Sequence, residues 1–313
     1  MQPAREVEHD ITVAASAESV YRLIAEVESW PRIFPPTVHV EYLERDEGRE
    51  RIRIWATANG EPKSWTSRRI LDPDRLRIEF RQEVSTPPVA AMGGTWVIEP
   101  TSDGGCRVRL LHDYRAVDDD PGGLTWIDKA VDRNSTSELA ALKTNVELAT
   151  GAEADRLLSF EDTVRIDGSA ADVYDFLNDA QLWEKRLPHV ARVSLLEDVP
   201  GLQVLEMDTR TKDGSVHTTK SVRVCFPHRR IVYKQIVLPA LLSLHTGNWL
   251  LEPDGDGVVV TSEHTVVINT ANIAKVLGDQ AVVEDAKAFV RSALSGNSRA
   301  TLGHAKEYAE RRR

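Results

Sequence analysis

The sequence predicts a duplicated α+β fold, two tandem copies of a curved antiparallel sheet wrapped around a long C-terminal helix, with a cavity left between sheet and helix. Three observations carry this expectation. First, A-E-S-V-Y-R-L-I-A-E-V-E-S-W-P-R-I-F-P (17–35) returns as A-A-D-V-Y-D-F-L-N-D-A-Q-L-W-E-K-R-L-P (170–188), at an offset of 153. A repeat of this length is one fold used twice. Second, the same offset carries Gly94-x-Trp96-x-x-Glu99-Pro100 onto Gly247-x-Trp249-x-x-Glu252-Pro253, so a gap-free match over the segment is expected. Third, N-S-x-x-x-L-x-x-x-K occurs at 134–143 and again at 297–306, where the offset has grown to 163. Roughly ten residues are therefore inserted before the last helix of the second copy. Domains are expected at 1–150 and 158–313, with the fusion near residues 150–158.

The elements of one copy follow in order. Strand 7–13 leads to Ser16, a suitable N-cap for a helix reaching about residue 27. The prolines of W-P-R-I-F-P-P are expected to keep 30–36 non-helical. Strands are expected near 38–45, 50–58, 63–71, 75–84, 92–99 and 106–117, divided by turn sequences such as A-N-G-E, L-D-P-D-R and S-D-G-G. A long helix over 123–149 closes the copy. Strand, short helix, six strands and long helix make an α+β domain, and the long helix is the sheet's one large apolar partner.

Composition narrows the function. The 313 residues carry 39 basic and 49 acidic side chains, a net charge of −10 that disfavours a general nucleic-acid binder. Cys106 and Cys225 are the two cysteines and have no metal-like spacing, which suits a reducing, cytoplasmic setting. No apolar run approaches the roughly 20 residues of a membrane span, and the N-terminus lacks an apolar signal-like core. There is no G-x-G-x-x-G, C-x-x-C or phosphate loop, so neither cofactor nor metal is expected.

Strand parity places the candidate site. Side chains alternate between faces, and on 63–71 the tryptophan-bearing face holds Trp65, Ser67, Arg69 and Leu71. Burying Trp65 favours turning that face inward, which makes Arg69 an inward charge and Arg68 an outward one. By the same reasoning Gly94, Trp96 and Ile98 face in, as do Val108, Leu110, His112 and Tyr114, while Trp30 and Phe34 lie in the segment after the short helix. The interior is then apolar and aromatic with a few polar groups, the pattern of a small-molecule site. Blander readings stand beside each residue: Arg69 solvated or paired to an acid, His112 a hydrogen-bonded core histidine, Asn134 bonded to a sheet carbonyl. At the common offset Trp65, Ser67 and Arg69 become Thr218, Lys220 and Val222, His112 becomes Thr265, and His245 replaces Met92 while Trp183 and Trp249 persist. The second cavity is thus expected to lack the arginine and the histidine of the first, which assigns the chemistry to residues 1–150.

W-P-x-x-F (30–34), W-T-S-R-R (65–69), M-G-G-T-W (92–96) and the closing N-S-T-S-E-L-A-A-L-K resemble the aromatase/cyclases of bacterial type II polyketide synthases, and the duplicated layout resembles their di-domain class. The resemblance covers nearly all of both copies and implies two helix-grip, START-like domains. It also implies a cytoplasmic enzyme, without cofactor or membrane, acting on a poly-β-ketone carried by an acyl carrier protein beside other synthase components. The carried chain would be ketoreduced, and its first ring would be closed by aldol reaction and dehydrated to an aromatic ring. Catalytic roles would fall to Arg69, His112 and Ser67, and substrate contacts to Trp30, Phe34, Trp65, Met92, Trp96, Tyr114 and Asn134. A second-domain pocket would involve Trp183, Lys220, His245 and Trp249. The family's pocket tyrosine aligns with Thr37, and the mouth of the first cavity is expected near Phe34 and Thr37. A non-catalytic carrier of hydrophobic ligands and a scaffold between synthase components remain as alternatives.

Overall fold

In the computed structural model, which describes residues 4–149, 154–210 and 214–313, the chain divides into two units, Met1–Ala154 and Asp155–Arg313. The first begins with β1 (Arg5–Val13), whose alternating exposure follows its alternating polarity. Helix α1 (Ala17–Ala25) starts at Ser16, whose hydroxyl accepts from the Ser19 N–H at 3.3 Å, so the N-cap satisfies a donor the helix leaves open. The W-P-R-I segment departs from expectation and forms a single turn, α2 (Trp30–Ile33). Pro31 sits in that first turn, where its missing N–H leaves nothing unsatisfied, and the turn stops before Pro35.

Six strands follow as a meander: β2 (Thr37–Asp46), β3 (Arg49–Ala58), β4 (Glu61–Asp72), β5 (Arg77–Val84), β6 (Val89–Pro100) and β7 (Cys106–Ala116). The sheet order is β1-β7-β6-β5-β4-β3-β2, antiparallel throughout. Asn59 and Gly60 both have positive φ between β3 and β4, the two-residue hairpin that an Asn-Gly pair encodes. Helix α3 (Pro121–Ala149) buries Leu139, Leu142 and Val146 against α1 and the β6–β7 strands.

The second unit repeats this order: β8 (Leu157–Ile166), α4 (Ala170–Asn178), α5 (Trp183–Arg186), β9 (Val190–Val199), β10 (Leu202–Arg210), β11 (Val216–Phe226), β12 (Arg230–Val237), β13 (Leu242–Asp254) and β14 (Gly257–Ile268). The inserted stretch forms α6 (Ile273–Leu277), ahead of the long α7 (Val283–Glu310). Its sheet order, β8-β14-β13-β12-β11-β10-β9, is that of the first unit. Both cysteines are free and buried. No helix among the described residues is long and apolar enough to cross a membrane.

The gap-free correspondence between the copies is corrected here. Counted between paired residues, Glu50 and Arg69 are 19 apart but Gln203 and Arg223 are 20 apart, the β11–β12 turn is one residue shorter than the β4–β5 turn, and Gly94 and His112 are 18 apart but Gly247 and His264 are 17 apart. Strand pairing makes the consequence plain. Arg69 stands opposite Glu50, and Arg223 stands opposite Gln203. His112 stands opposite Gly94, and His264 stands opposite Gly247. The counterparts of Trp65, Ser67 and Arg69 are therefore Thr219, Ser221 and Arg223, and that of His112 is His264. A one-residue shift turns every side chain to the other face, which is why Lys220 and Thr265 had seemed to be the inward residues.

Candidate active site

The first unit holds a cavity of two adjoining lobes, about 130 and 100 Å³. Trp30, Ile54, Trp65, Gln82, Met92, His112 and Glu138 line both. The inner lobe adds Phe34, Ser67, Arg69, Phe80, Trp96 and Leu110, and the outer adds Thr37, Lys63, Trp126, Asn134 and Ser135. Lobes of this size suit single rings, since a cavity of roughly 150 Å³ accepts benzene. Phe34 and Thr37 are 2% and 3% exposed, so their own side chains are walls, and Pro35 between them is exposed.

Arg69 is inward and 2% exposed, lines the inner lobe, and donates to the protein through both Nη atoms. Nη1 donates to Glu50 Oε2 at 2.8 Å and to the Ala25 carbonyl at 3.1 Å, and Nη2 donates to the Ile24 carbonyl at 2.9 Å. Those carbonyls belong to the last turn of α1, which has no helical N–H to bond them. The guanidinium lies 5.1 Å from the Trp30 ring centre, and Trp30 Nε1 donates to the same Ile24 carbonyl at 3.1 Å. Arg69 therefore ties β4 to α1 and seats Trp30, which meets Phe34 edge-on at 5.5 Å, while Phe34 stacks on Trp96 at 6.0 Å.

His112 meets Phe80 edge-on at 5.4 Å and leaves Nδ1 without a partner. Burial pushes its pKa down to about 4, so the ring is neutral near pH 7. Ser67 is buried at the inner lobe. Asn134 lines the outer lobe and donates to the Thr57 carbonyl at 3.1 Å, the bland role foreseen for it. Tyr114 faces elsewhere: it packs with Ala116, Ile127 and Val131, gives its hydroxyl to Asp128 Oδ1 at 2.5 Å, and lines neither lobe. The outward arginines are paired rather than merely solvated, Arg51 with Glu44 and Glu83, Arg107 with Asp10, and Arg109 with Glu8.

Sequence reading missed Glu50, Gln82, Trp126 and Glu138. Glu50 was legible, because it shares strand parity with the inward Ile52 and Ile54. Glu138 lies one helical turn beyond Asn134, on the face that meets the cavity.

The second unit has its own cavity of about 120 Å³, lined by Trp183, Ser221, Arg223, Tyr233, His245, Trp249 and His264 among others. Lys220 is not among its walls. Arg223 repeats part of Arg69's role, donating to the Leu177 carbonyl at 2.6 Å with its guanidinium 5.4 Å from the Trp183 ring. The expectation that this cavity lacks counterparts of Arg69 and His112 is therefore corrected, since Arg223 and His264 line it.

Known proteins share this layout. The polyketide cyclase/dehydrase and lipid transport family matches residues 4–147 and 158–310. The granaticin polyketide synthase bifunctional cyclase/dehydratase of Streptomyces virginiae is 54% identical, covering 95% of this chain and 97% of its own. The actinorhodin counterpart of Streptomyces coelicolor is 47% identical, covering 96% and 95%. Among solved structures, the di-domain ARO/CYC BexL of the BE-7585A biosynthetic pathway is 68% identical with a TM-score of 0.87, covering 98% of this chain and 99% of that one. The di-domain ARO/CYC StfQ of the steffimycin pathway is 36% identical with a TM-score of 0.86, covering 98% and 99%. Two copies of one fold, each with a cavity between sheet and long helix, agree with those matches over nearly the whole length, and the chain belongs to the polyketide cyclase/dehydrase and lipid transport family.

Proposed function

We propose that the chain is a cytoplasmic cyclase/dehydratase that folds a poly-β-ketone, closes its first ring by an intramolecular aldol reaction and removes water to give an aromatic ring. The substrate in this reading is a ketoreduced chain delivered by an acyl carrier protein, and the chain works beside other components of a type II polyketide synthase. Its relatives' names and the two-lobed cavity support the reading. The observation that carries it is the chemistry of that cavity. Among its described lining residues, the one buried polar atom without a partner is Nδ1 of His112, set in aromatic walls. An unsatisfied buried polar atom costs about 1–3 kcal/mol, which a substrate oxygen or an ordered water would offset.

The walls do most of the work. Holding the chain folded contributes several kcal/mol by making ring closure a reaction of neighbours. A methylene between two carbonyls is acidic enough to lose its proton without a strong base. His112 as neutral imidazole holds the enol oxygen or the water that takes that proton, and Ser67 lies close by on the inner lobe. The enolate carbon then bonds to a ketone carbon, and loss of the resulting hydroxyl with an adjacent hydrogen leaves the double bond and one water. Arg69 acts as a positioning residue, because both its Nη atoms already donate to Glu50 and to the last turn of α1.

Adding the chain to a reconstituted minimal synthase with its ketoreductase tests this reading. A new aromatic product is expected. A carrier or scaffold would change yields and leave the product profile as it was.

A further inference from the structure

In the first unit Glu50 neutralises Arg69; in the second, the residue opposite Arg223 is Gln203, an amide. Arg223 is 2% exposed and lines the cavity, and no ion pair joins it among the described residues. Its Nη2 is used by the Leu177 carbonyl at 2.6 Å, while its Nη1 is buried without a partner. Gln203 does not serve it: its Oε1 is itself buried without a partner, while its Nε2 donates to Glu197 Oε2 at 2.7 Å. Tyr174, Cys225, Glu197 and Tyr233 are the titratable groups whose charges act on Arg223. The tyrosines and the cysteine are neutral near pH 7, for burial raises the pKa of all three.

Two more buried atoms on this lining stand without partners, Oε1 of Gln235 and Nδ1 of His245. His245 is fixed by a network. Its Nε2 meets His264 Nδ1 at 3.0 Å, Tyr233 Oη lies 3.2 Å from that same nitrogen, and His264 Nε2 meets Ser298 Oγ at 2.8 Å. His245 Nδ1 is an acceptor when His264 Nδ1 is unprotonated and a donor when His264 Nδ1 carries the proton, and in either form a ligand hydroxyl can pair with it. Burial lowers both histidines, to about 3 and about 4, so the network stays neutral near pH 7.

A buried guanidinium with an unpartnered Nη1, in one lining with the unpartnered Gln235 Oε1 and His245 Nδ1 and with Trp183 and Trp249, can bind an oxygen anion on a ring. We infer that the second cavity is a ligand site in its own right, taking a ring compound whose phenolate or enolate oxygen meets Arg223 Nη1 and whose hydroxyls meet Gln235 and His245. The inference rests on the second unit alone and stands independently of the roles proposed for the first.

The test uses the full chain labelled with ¹⁵N-histidine and a nitronaphthol, a chromophoric hydroxylated ring whose ionisation is read by absorbance. Bound probe should ionise about one pH unit or more below free probe, with the ring signals of His245 and His264 moving on titration. Gln203→Glu, which sets a carboxylate opposite Arg223 as Glu50 stands opposite Arg69, should weaken binding of the anion by about ten-fold or more. Binding of naphthalene should stay within about two-fold of the parent. Arg223→Met should abolish the ionisation shift; if that variant does not fold, Gln203→Glu decides. An unchanged or raised ionisation midpoint, undiminished anion binding by Gln203→Glu, histidine shifts confined to His112, or no binding at all overturns the inference.

Discussion

Arg69 and Glu50 form an ion pair at 2.8 Å in which the side chains are 1% and 3% exposed, directly across the β3–β4 ladder. The pair sits where the cavity ends, and the same guanidinium holds the last turn of α1 and faces Trp30. Its cation is spent on architecture, which changes what a substitution there measures.

Arg69→Ala leaves the buried Glu50 with Arg45 alone, at 3.3 Å, and takes a donor from each of the Ile24 and Ala25 carbonyls. It should cost about 3–5 kcal/mol in urea unfolding, the range for breaking a buried pair. Arg68 is exposed and pairs with Glu83 at the surface, so Arg68→Ala should change stability by less than about 0.5 kcal/mol. Equal losses from the two would show that Arg69 is not anchored as described.

Acid should destabilise the fold through its buried histidines. Folded pKa values of about 4 for His112 and His264 and about 3 for His245 lie below the ordinary value of 6.5. Between those limits the unfolded chain binds protons that the folded chain refuses, so stability rises with pH there and is lost as pH falls from 6.5 toward 4. Each histidine contributes a slope of up to about 1.4 kcal/mol per pH unit. Urea titrations between pH 4.5 and 6.5 should therefore flatten in His245→Gln, and an unchanged slope would place that ring in contact with solvent.

Adjacent glycines on β6 should differ. A Cβ on Gly94 would lie 2.0 Å from the Leu111 carbonyl oxygen, a backbone atom, whereas one on Gly93 would meet the flexible Arg81 side chain. Gly94→Ala should cost about 1–3 kcal/mol or more, as overpacking does, and Gly93→Ala clearly less, with thermal melts as the measure. The reverse order would mean that the β6–β7 contact is looser than it stands.

Much of this was legible in the sequence. The repeat gave the element order, the parity of β4 set Trp65, Ser67 and Arg69 on one face, and the inserted residues before the last helix marked α6. What failed was register. Parity is only as good as the count of residues in each turn, and single-residue differences in three hairpins moved Arg223 and His264 out of correspondence while leaving Trp183 and Trp249 in it. Asn134 shows another limit: a helix position names the face, but whether its amide meets substrate or the Thr57 carbonyl depends on the curvature of the sheet. The commitment of Arg69's donors was hidden for the same reason, since the α1 carbonyls it meets lie more than forty residues away in sequence.

Ring closure in the first cavity is proposed to run through His112. The most direct measurement is the product profile of a reconstituted minimal synthase and ketoreductase supplied with His112→Ala or His112→Gln, each checked for folding by its melt. The alanine variant should divert carbon to shunt products with about a ten- to hundred-fold loss of aromatic product, while glutamine, which keeps a hydrogen-bonding group, should retain a measurable share. Aromatic product at the parent level from a folded His112→Ala would contradict the claim and leave His112 a residue of the core.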